Sequence, residues 1–375
     1  MKFEVEHSQL IKALGHMQRV VERRNTIPIL NNVMLSVEAG ALTISGTDLD
    51  IELVETIPAN VETSGVTTVA AHLFHAIIGK MATGATISVE GNKDKTQLVV
   101  RSGRSEFTLQ TLDADEFVSI SEEDFDHSFE IKAKDLALLI AKTQFAISLE
   151  ETRYYLNGIY FHCADSDLDD GQKVLRGVAT DGHRLALIDS PLPKGAEDIA
   201  GVIIPRKAVT ELKSLLDSHD GSITIDMSEV KMRFTIGTTV MVTKLIDGTF
   251  PDYQRVIPRD NDAVLELPCQ PFKNSVERVS TISPERGRAV KLAVEKQKLI
   301  LSVHNPESGN AVDEIEINYS ADPILLGFNA KYLVDILGQI DGENVEFYLS
   351  SPTAPTLVKD PDNATAIYVL MPMRV

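Results

Sequence analysis

Hydrophobic positions along this chain alternate with period two over short runs and then shift to a period near 3.6, and the shift recurs. Three segments open on an alternating run that passes at once into an amphipathic helical pattern: Phe3-Glu-Val before 8–21, Phe129-Glu-Ile before 134–145, and Leu265-Glu-Leu before 271–282. Their starts lie roughly 125 to 135 residues apart. Each block then carries a second unit of the same kind: Thr68-Val-Ala before 72–81, Val202-Ile-Ile before 206–216, and Ile324-Leu-Leu before 330–340. Alternating runs follow the helices, and the blocks close on 107–112, 239–245 and 367–370. The period is too long for a solenoid and predicts three α+β domains, 1–121, 129–251 and 254–375, each built from two similar halves. The connecting segments are charged or turn-rich: 113–128 holds seven acidic residues, and 252–262 carries Pro258 and an Asp-Asn-Asp turn.

The polar faces of the helices are unusually basic. In the first, Leu10, Ile11, Leu14, Met17 and Val21 make the apolar stripe, with Lys12, His16, Arg19 and Arg23 opposite. The fourth sets Arg206, Lys207 and Lys213 outside Val209, Leu212 and Leu216, and the others add His72, Lys80, Lys134, Lys142, Lys273, Arg278 and Lys331. Acidic residues crowd instead into 113–126 and 165–170. Two readings stand, ordinary solvated faces or one basic surface on an acidic protein. The tail offers a similar choice. Val369, Leu370, Met371 and Met373 run nearly to the last residue, and they read as a final strand tucked into its own sheet or as a wall of an adaptable Met-lined groove for partner proteins.

A length of 375 residues with 43% hydrophobic and 24% charged positions fits an ordered protein of two to four domains. No apolar run reaches bilayer-spanning length, so no membrane partner is expected, and the opening Met1-Lys-Phe-Glu-Val-Glu alternates like a strand rather than a signal peptide. Cys163 and Cys269 lie far apart and read as reduced packing residues, which points to the cytoplasm. The net charge of −19 argues against tight electrostatic binding of nucleic acid.

Motifs for catalysis and cofactors fail. There is no phosphate loop, no GxGxxG opening a helix, no GxSxG elbow and no HExxH pair, so no cofactor or metal is expected. Asp165-Ser-Asp-Leu-Asp169 starts like a calcium loop, but Gly171 falls one place late and Arg176 stands where a bidentate Glu is needed; it reads as an acidic hairpin turn. Asp181 and His183, two apart, can share one face of a strand as a catalytic pair, yet no nucleophile accompanies them.

Longer motifs are more specific. Thr26-Ile-Pro-Ile-Leu-Asn31, Gly46-Thr-Asp-Leu49, Arg153-Tyr-Tyr-Leu-Asn-Gly158, Ala179-Thr-Asp-Gly-His-Arg-Leu-Ala186, Lys244-Leu-Ile-Asp-Gly-Thr-Phe-Pro-Asp-Tyr253, Gly327-Phe-Asn-Ala-Lys-Tyr332 and Met371-Pro-Met-Arg374 occur in this order. Over the whole chain they resemble the bacterial sliding clamps, the β subunits of the DNA polymerase III holoenzyme. The resemblance implies three DNA-clamp domains, each with two helices packed on antiparallel sheets, and a head-to-tail homodimeric ring that encircles duplex DNA without reading its sequence. It implies a non-enzymatic processivity factor, with a ring that holds DNA by topology and tolerates an acidic exterior. By resemblance, the DNA-facing residues are Lys12, Arg19, Arg23, Arg24, Lys80, Lys134, Lys142, Arg206, Lys207, Lys213, Lys273 and Lys331.

The same resemblance implies a hydrophobic cleft for short motifs of the polymerase III α subunit, the clamp loader δ subunit, other polymerases and repair proteins. Its wall would comprise Arg153, Leu156, Thr180, Gly182, His183, Arg184, Leu185, Pro251, Arg255, Val256, Asn329, Tyr332, Val369, Leu370, Met371, Pro372, Met373 and Arg374. Subunit contacts would involve Phe107, Leu109, Thr281 and Ile282. Three positions depart from the family's type member: Gly287 replaces a rim aromatic, Val375 a terminal Leu, and Thr281-Ile282 a pair of bulky aliphatics. Two other functions remain for comparison, a cytosolic hydrolase using Asp181 and His183, and a scaffold without DNA contact.

Overall fold

Alternation and helical periodicity produce the same series of elements three times over. The computed structural model describes residues 1–94, 96–120, 124–166, 171–283 and 289–374. The first block contains β1 (Lys2–Glu6), α1 (His7–Val20), β2 (Asn32–Glu38), β3 (Ala41–Thr47), β4 (Ile51–Pro58), β5 (Asn60–Thr63), β6 (Gly65–Ala70), α2 (Ala71–Ile78), β7 (Thr86–Gly91), β8 (Gln97–Ser102) and β9 (Ser105–Gln110). The second contains β10 (His127–Lys132), α3 (Ala133–Thr143), β11 (Gly158–Asp165), β12 (Lys173–Thr180), β13 (Arg184–Pro191), β14 (Val202–Pro205), α4 (Arg206–Leu216), β15 (Ser222–Met227), β16 (Lys231–Ile236) and β17 (Thr239–Lys244). The third contains β18 (Ala263–Pro268), α5 (Cys269–Ser280), β19 (Ala289–Val294), β20 (Lys298–Asn305), β21 (Gly309–Glu316), β22 (Ile324–Asn329), α6 (Ala330–Leu337), β23 (Asn344–Leu349), β24 (Thr356–Asp360) and β25 (Asn363–Leu370). Among the described residues only β5 lacks a counterpart in the other blocks.

Among the described residues the strand pairs are antiparallel, and the two larger sheets cross block boundaries. Strands β5-β1-β7-β8-β9 form one sheet and β21-β20-β19-β22 another. The two larger sheets run β10-β15-β16-β17-β4-β3-β2-β6 and β14-β11-β12-β13-β25-β24-β23-β18. In each of these, two four-stranded halves from successive blocks meet edge to edge. The joints are β17 with β4, where Met241 faces Leu53, and β25 with β13, where Val369 faces Leu185. The equivalents of these joint strands, β9 in the first block and β21 in the third, have a neighbour on one side only.

By internal contacts the chain divides into two compact units that follow the sheets rather than the repeats: 1–137, 193–196 and 207–245 in one, and 138–192, 197–206 and 246–375 in the other. In the first unit, α1 buries Leu10, Leu14, Met17 and Val20 against α2, β3 and β4. In the second, α5 buries Phe272, Val276 and Val279 against α6, β19 and β20. Strands such as β16, β19 and β23 alternate strictly between buried and half-exposed residues, as a two-faced sheet requires.

Five of the six helices end earlier than their periodicity predicts, α1 by a single residue at Val20. α2 stops at Ile78 and α6 at Leu337, each followed by a glycine, Gly79 and Gly338, the residue type that favours a helix least after proline; both keep right-handed φ (−64° and −70°) and still donate to His75 O and Val334 O. α3 yields at Thr143 to a 3-10 turn, Gln144–Ala146, and α5 ends at Ser280. Two polar-face assignments are also corrected. His16 is 9% exposed, and its Nδ1 lies 2.8 Å from Glu55 Oε2. It follows Ala13 and precedes Met17 and Val20 at core spacing, so the helix turns it inward. Lys142, expected to face DNA, is 4% exposed; its ammonium donates to Asp341 Oδ2 at 2.6 Å and to the Gln339 carbonyl.

Candidate functional site

The β12–β13 turn builds one side of an apolar cleft. Gly182 takes φ 86°, and the Asp181 carboxylate accepts N–H bonds from His183 at 2.9 Å and Arg184 at 3.0 Å. Thr180 Oγ1 donates to Arg184 O at 2.7 Å and accepts from Gly182 N at 3.1 Å. A Cβ at Gly182 would come within 2.6 Å of Arg153 Nη1, so the arginine lies over a backbone that only glycine leaves open. Glu150 holds Arg153 in place through bonds of 2.7 and 2.8 Å.

Arg184 fixes the turn to the third block. Its guanidinium donates to Asp181 Oδ2 at 3.1 Å, Asp335 Oδ2 at 2.5 Å and Phe145 O at 2.6 Å. It also lies 4.4 Å from the Tyr332 ring centroid and 5.1 Å from that of Phe145. At 7% exposure with these partners, Arg184 is a staple of the site, not a free arm for ligand.

Behind the turn, a cavity of about 190 Å³ is lined by Leu156, Thr180, Gly182, Arg184, Leu185, Pro251, Asp252, Tyr253, Val256, Val369 and Met371. Leu156, Leu185, Tyr253 and Val369 belong to one buried cluster, whereas Val256 and Met371 stand 46% and 37% exposed at the rim. A shallower shelf adjoins it. The His183 ring stacks on Tyr332 at 6.2 Å, and Asn329 caps α6 by accepting from Lys331 N and Tyr332 N. Burial and the neighbouring Asp181 carboxylate raise the Tyr332 phenol above its ordinary value, so it stays a neutral donor.

The tail bridges two sheets. Met371 N–H donates to His183 O at 2.9 Å, and Met373 N–H donates to Gly327 O at 2.7 Å. Pro372, which has no N–H, sits between them where no donor is needed. The segment through Leu370 is thus a paired interior strand, and Met371 beyond it lines the cavity.

Several anticipated residues lie elsewhere. Leu370 is fully buried on the opposite face of β25 from Val369 and is not among the residues that line this cavity. Arg255 pairs with Asp252 at 2.7 Å and is exposed at the edge. Sequence reasoning missed Asp252 and Tyr253 as lining residues, although they complete the Pro251-Asp-Tyr run that it quoted. The hydrolase alternative fails on geometry, because both Asp181 carboxylate oxygens are engaged by the turn and by Arg184.

Of the basic residues, Lys12, Arg19, Arg23, Arg24, Lys80, Lys134, Arg206 and Lys331 are exposed, and Lys207, Lys213 and Lys273 are half-buried. Arg19 donates to Ser214 Oγ, and Lys207 to Asp48 and to Val20 O. Phe107 on the outer edge of β9 is 37% exposed and Leu109 is buried. Thr281 is exposed, and the half-buried Ile282 accepts from Asn305 Nδ2 through its carbonyl. Gly287 and Val375 lie outside the described residues. No group of three or more His, Cys, Asp or Glu arranged to hold a metal occurs among the described residues.

Comparison with known proteins gives the same picture along the entire chain. Residues 1–121 match the N-terminal domain of the DNA polymerase III beta subunit, 130–252 its central domain and 254–374 its C-terminal domain. The beta sliding clamp of Caulobacter vibrioides is 47% identical over 375 residues, with both chains fully covered. A crystal structure of the Bartonella birtlesii DnaN sliding clamp bound to griselimycin is 48% identical, superposes with a TM-score of 0.96 and covers both chains fully. The griselimycin-bound Pseudomonas aeruginosa clamp is 36% identical with a TM-score of 0.93, again over both whole chains. With three family domains matched in order and full-length relatives on both counts, the chain belongs to the DNA polymerase III beta subunit family, the bacterial sliding clamps, which are non-catalytic processivity factors of DNA replication.

Proposed function

We propose that two copies of this chain close head to tail into a ring around duplex DNA, by pairing β9 of each copy with β21 of the other. The observation that carries this reading is the pattern of joints. Each joint inside the chain pairs the last strand of a block's first sheet with the third strand of the second sheet of the preceding block, and only β9 and β21 are left over. Open strand edges recruit partners. Both edges also expose an apolar side chain, Phe107 at 37% and Val312 at 70%. β21 carries Asp313, Glu314 and Glu316, and Arg104 lies at the turn into β9, while Arg101 on β8 is bound by Glu90 and by Glu106 of β9. α5 supports the second edge, since Ser275 Oγ and Arg278 donate to Asp313 Oδ2 at 2.5–2.9 Å. Head-to-tail contacts of this kind close when the rotation permits and otherwise run on as filaments.

The domains are taken as 1–121, 129–251 and 254–375, the exposed lysines and arginines of the helices as the DNA-facing set, and the cytoplasm as the site of action. A net charge of −19 suits this mode of holding DNA, because a closed ring needs only loose phosphate contacts. The cleft takes short peptides from the polymerase III α subunit, the clamp loader δ subunit and other replication and repair proteins, and we infer that griselimycin, which two relatives bind, would fit it too. Its apolar floor with a few polar orienting groups suits peptide recognition. The test is retention on DNA: protein assembled on nicked circular duplex by a clamp loader remains through gel filtration, and cutting the circle releases it. Equal retention on linear and circular DNA would refute the ring.

A further inference from the structure

We propose that His162 is a positioning residue for the cleft: with Arg176 it holds the Tyr253 hydroxyl in the interior and so fixes the wall from Phe250 to Val256 against which a ligand packs. The inference rests on the peptide-binding reading of the cleft. Pro251, Asp252, Tyr253 and Val256 line the cavity, and the segment is pinned from behind at two points. Tyr160 and His162, two apart on β11, share one face of the strand. Tyr160 stacks on Phe250 at 4.9 Å and 5°, and on His162 at 4.3 Å and 24°. Tyr253 meets both edge-on, at 6.5 Å from Tyr160 and 5.7 Å from His162.

Hydrogen bonding completes the second pin. Arg176 is 0% exposed and bound twice by Asp189, at 2.6 and 2.8 Å. A guanidinium only donates, so Tyr253 Oη accepts from Arg176 Nη1 at 3.4 Å. The phenol proton then goes to His162 Nε2 at 3.0 Å, which requires a neutral imidazole protonated on Nδ1. Burial, and after it the Arg176 charge, lowers the His162 pKa from 6.5 to about 4, and Nδ1 is buried with no partner among the described residues. A wall held in its bound geometry before the ligand arrives loses less freedom on binding.

The test is calorimetric titration of the full-length protein with a five-residue peptide carrying Gln at its N-terminal end and Leu-Phe at its C-terminal end. His162→Leu and Tyr253→Phe should each weaken binding about three- to tenfold, the range one buried hydrogen bond supplies. His162→Gln, whose amide oxygen keeps an acceptor for the phenol, should return affinity to within about twofold of the unaltered protein. The Leu and Phe variants combined should be no weaker than Tyr253→Phe alone, because loss of the hydroxyl already removes the His162 bond along with the Arg176 one. Thermal unfolding checks that each variant is folded, and Tyr253→Phe, which keeps the ring, decides the matter should His162→Leu fail to fold. Unchanged affinity in Tyr253→Phe, additive losses, or an equal loss in the Gln and Leu variants would overturn the proposal. Failure of the unaltered protein to bind the peptide would overturn the cleft reading and this inference with it.

Discussion

Deleting the last five residues, 371–375, separates the two roles of the tail. On the stability side the deletion removes two backbone hydrogen bonds, Met371 N–H to His183 O and Met373 N–H to Gly327 O. At about 1 kcal/mol each, the second unit loses about 2 kcal/mol. The paired strand up to Leu370, with Val369 and Leu370 at 2% and 0% exposure, stays in place, so the fold persists. On the binding side, Met371 is 37% exposed, leaving about a third of its side chain for a ligand to cover. A third of the roughly 1.5–3 kcal/mol for burying a Met is about 0.5–1 kcal/mol. One hydrogen bond from a ligand to the tail backbone adds about 0.5–1.5 kcal/mol, for a total near 1–2.5 kcal/mol, or about five- to seventyfold in Kd. Calorimetric titration of the truncated protein with the same peptide, alongside thermal unfolding and sedimentation, reads all three quantities. Undiminished affinity would show that the tail serves only to bridge its two sheets; loss of folding or of dimerisation would refute the separation of roles.

Other outcomes follow from the same geometry. Replacing Phe107 and Ile282 together by Glu should give monomers in sedimentation, since each loses burial worth up to about 1.5–3 kcal/mol and gains a charge at the closing edges; a persistent dimer would place the interface elsewhere. Charge reversal at Lys12, Arg23 and Arg24, all exposed, should impair loading onto circular DNA while leaving the unfolding temperature unchanged. The neutral His162 makes stability fall on acidification. Its pKa is near 4 when folded and 6.5 when unfolded, so the unfolded chain binds the extra proton between those values. Stability from this group is fully present above about pH 6.5 and falls by up to about 3 kcal/mol at 1.36 kcal/mol per unit until about pH 4. His162→Gln should flatten that part of a pH series of unfolding temperatures; an unaltered slope would assign it to other groups.

Local pattern made the elements legible, because a strand with one wet face must alternate and a helix on a sheet must carry a stripe. The helix starts were readable for this reason, whereas most of the stops fall one to three residues short of the periodic pattern. What the pattern cannot carry is pairing. Nothing in the alternation of β4 or β17 says that they join across blocks. Likewise, Lys142 read as solvent-facing because the carboxylate that holds it, Asp341, is far off in sequence, whereas the inward turn of His16 was already implied by its spacing from Ala13, Met17 and Val20. The inclusion of Leu370 in the cleft ignored an available signal, since neighbours on a strand face opposite ways and Val369 already occupied the cleft side. The buried arginine behind the cleft was legible only as a residue that spoiled a calcium loop; its pairing with Asp189 and Tyr253 depends on the register of β12 with β13 and on the path of the loop after β17.

The joints within the chain, β17 with β4 and β25 with β13, each align five residue pairs. Their halves are also connected covalently, so a joint that opens still holds its partners at the high effective concentration of a short tether and closes again at once. In a ring of two chains, the seams between chains have no such tether. Once apart, their edges meet again only at the bulk concentration of the protein. Even with identical strand chemistry at every seam, the ring would therefore part between chains and not within them. Where the covalent backbone runs, rather than any weakness of the strands, decides where such a ring opens to admit DNA.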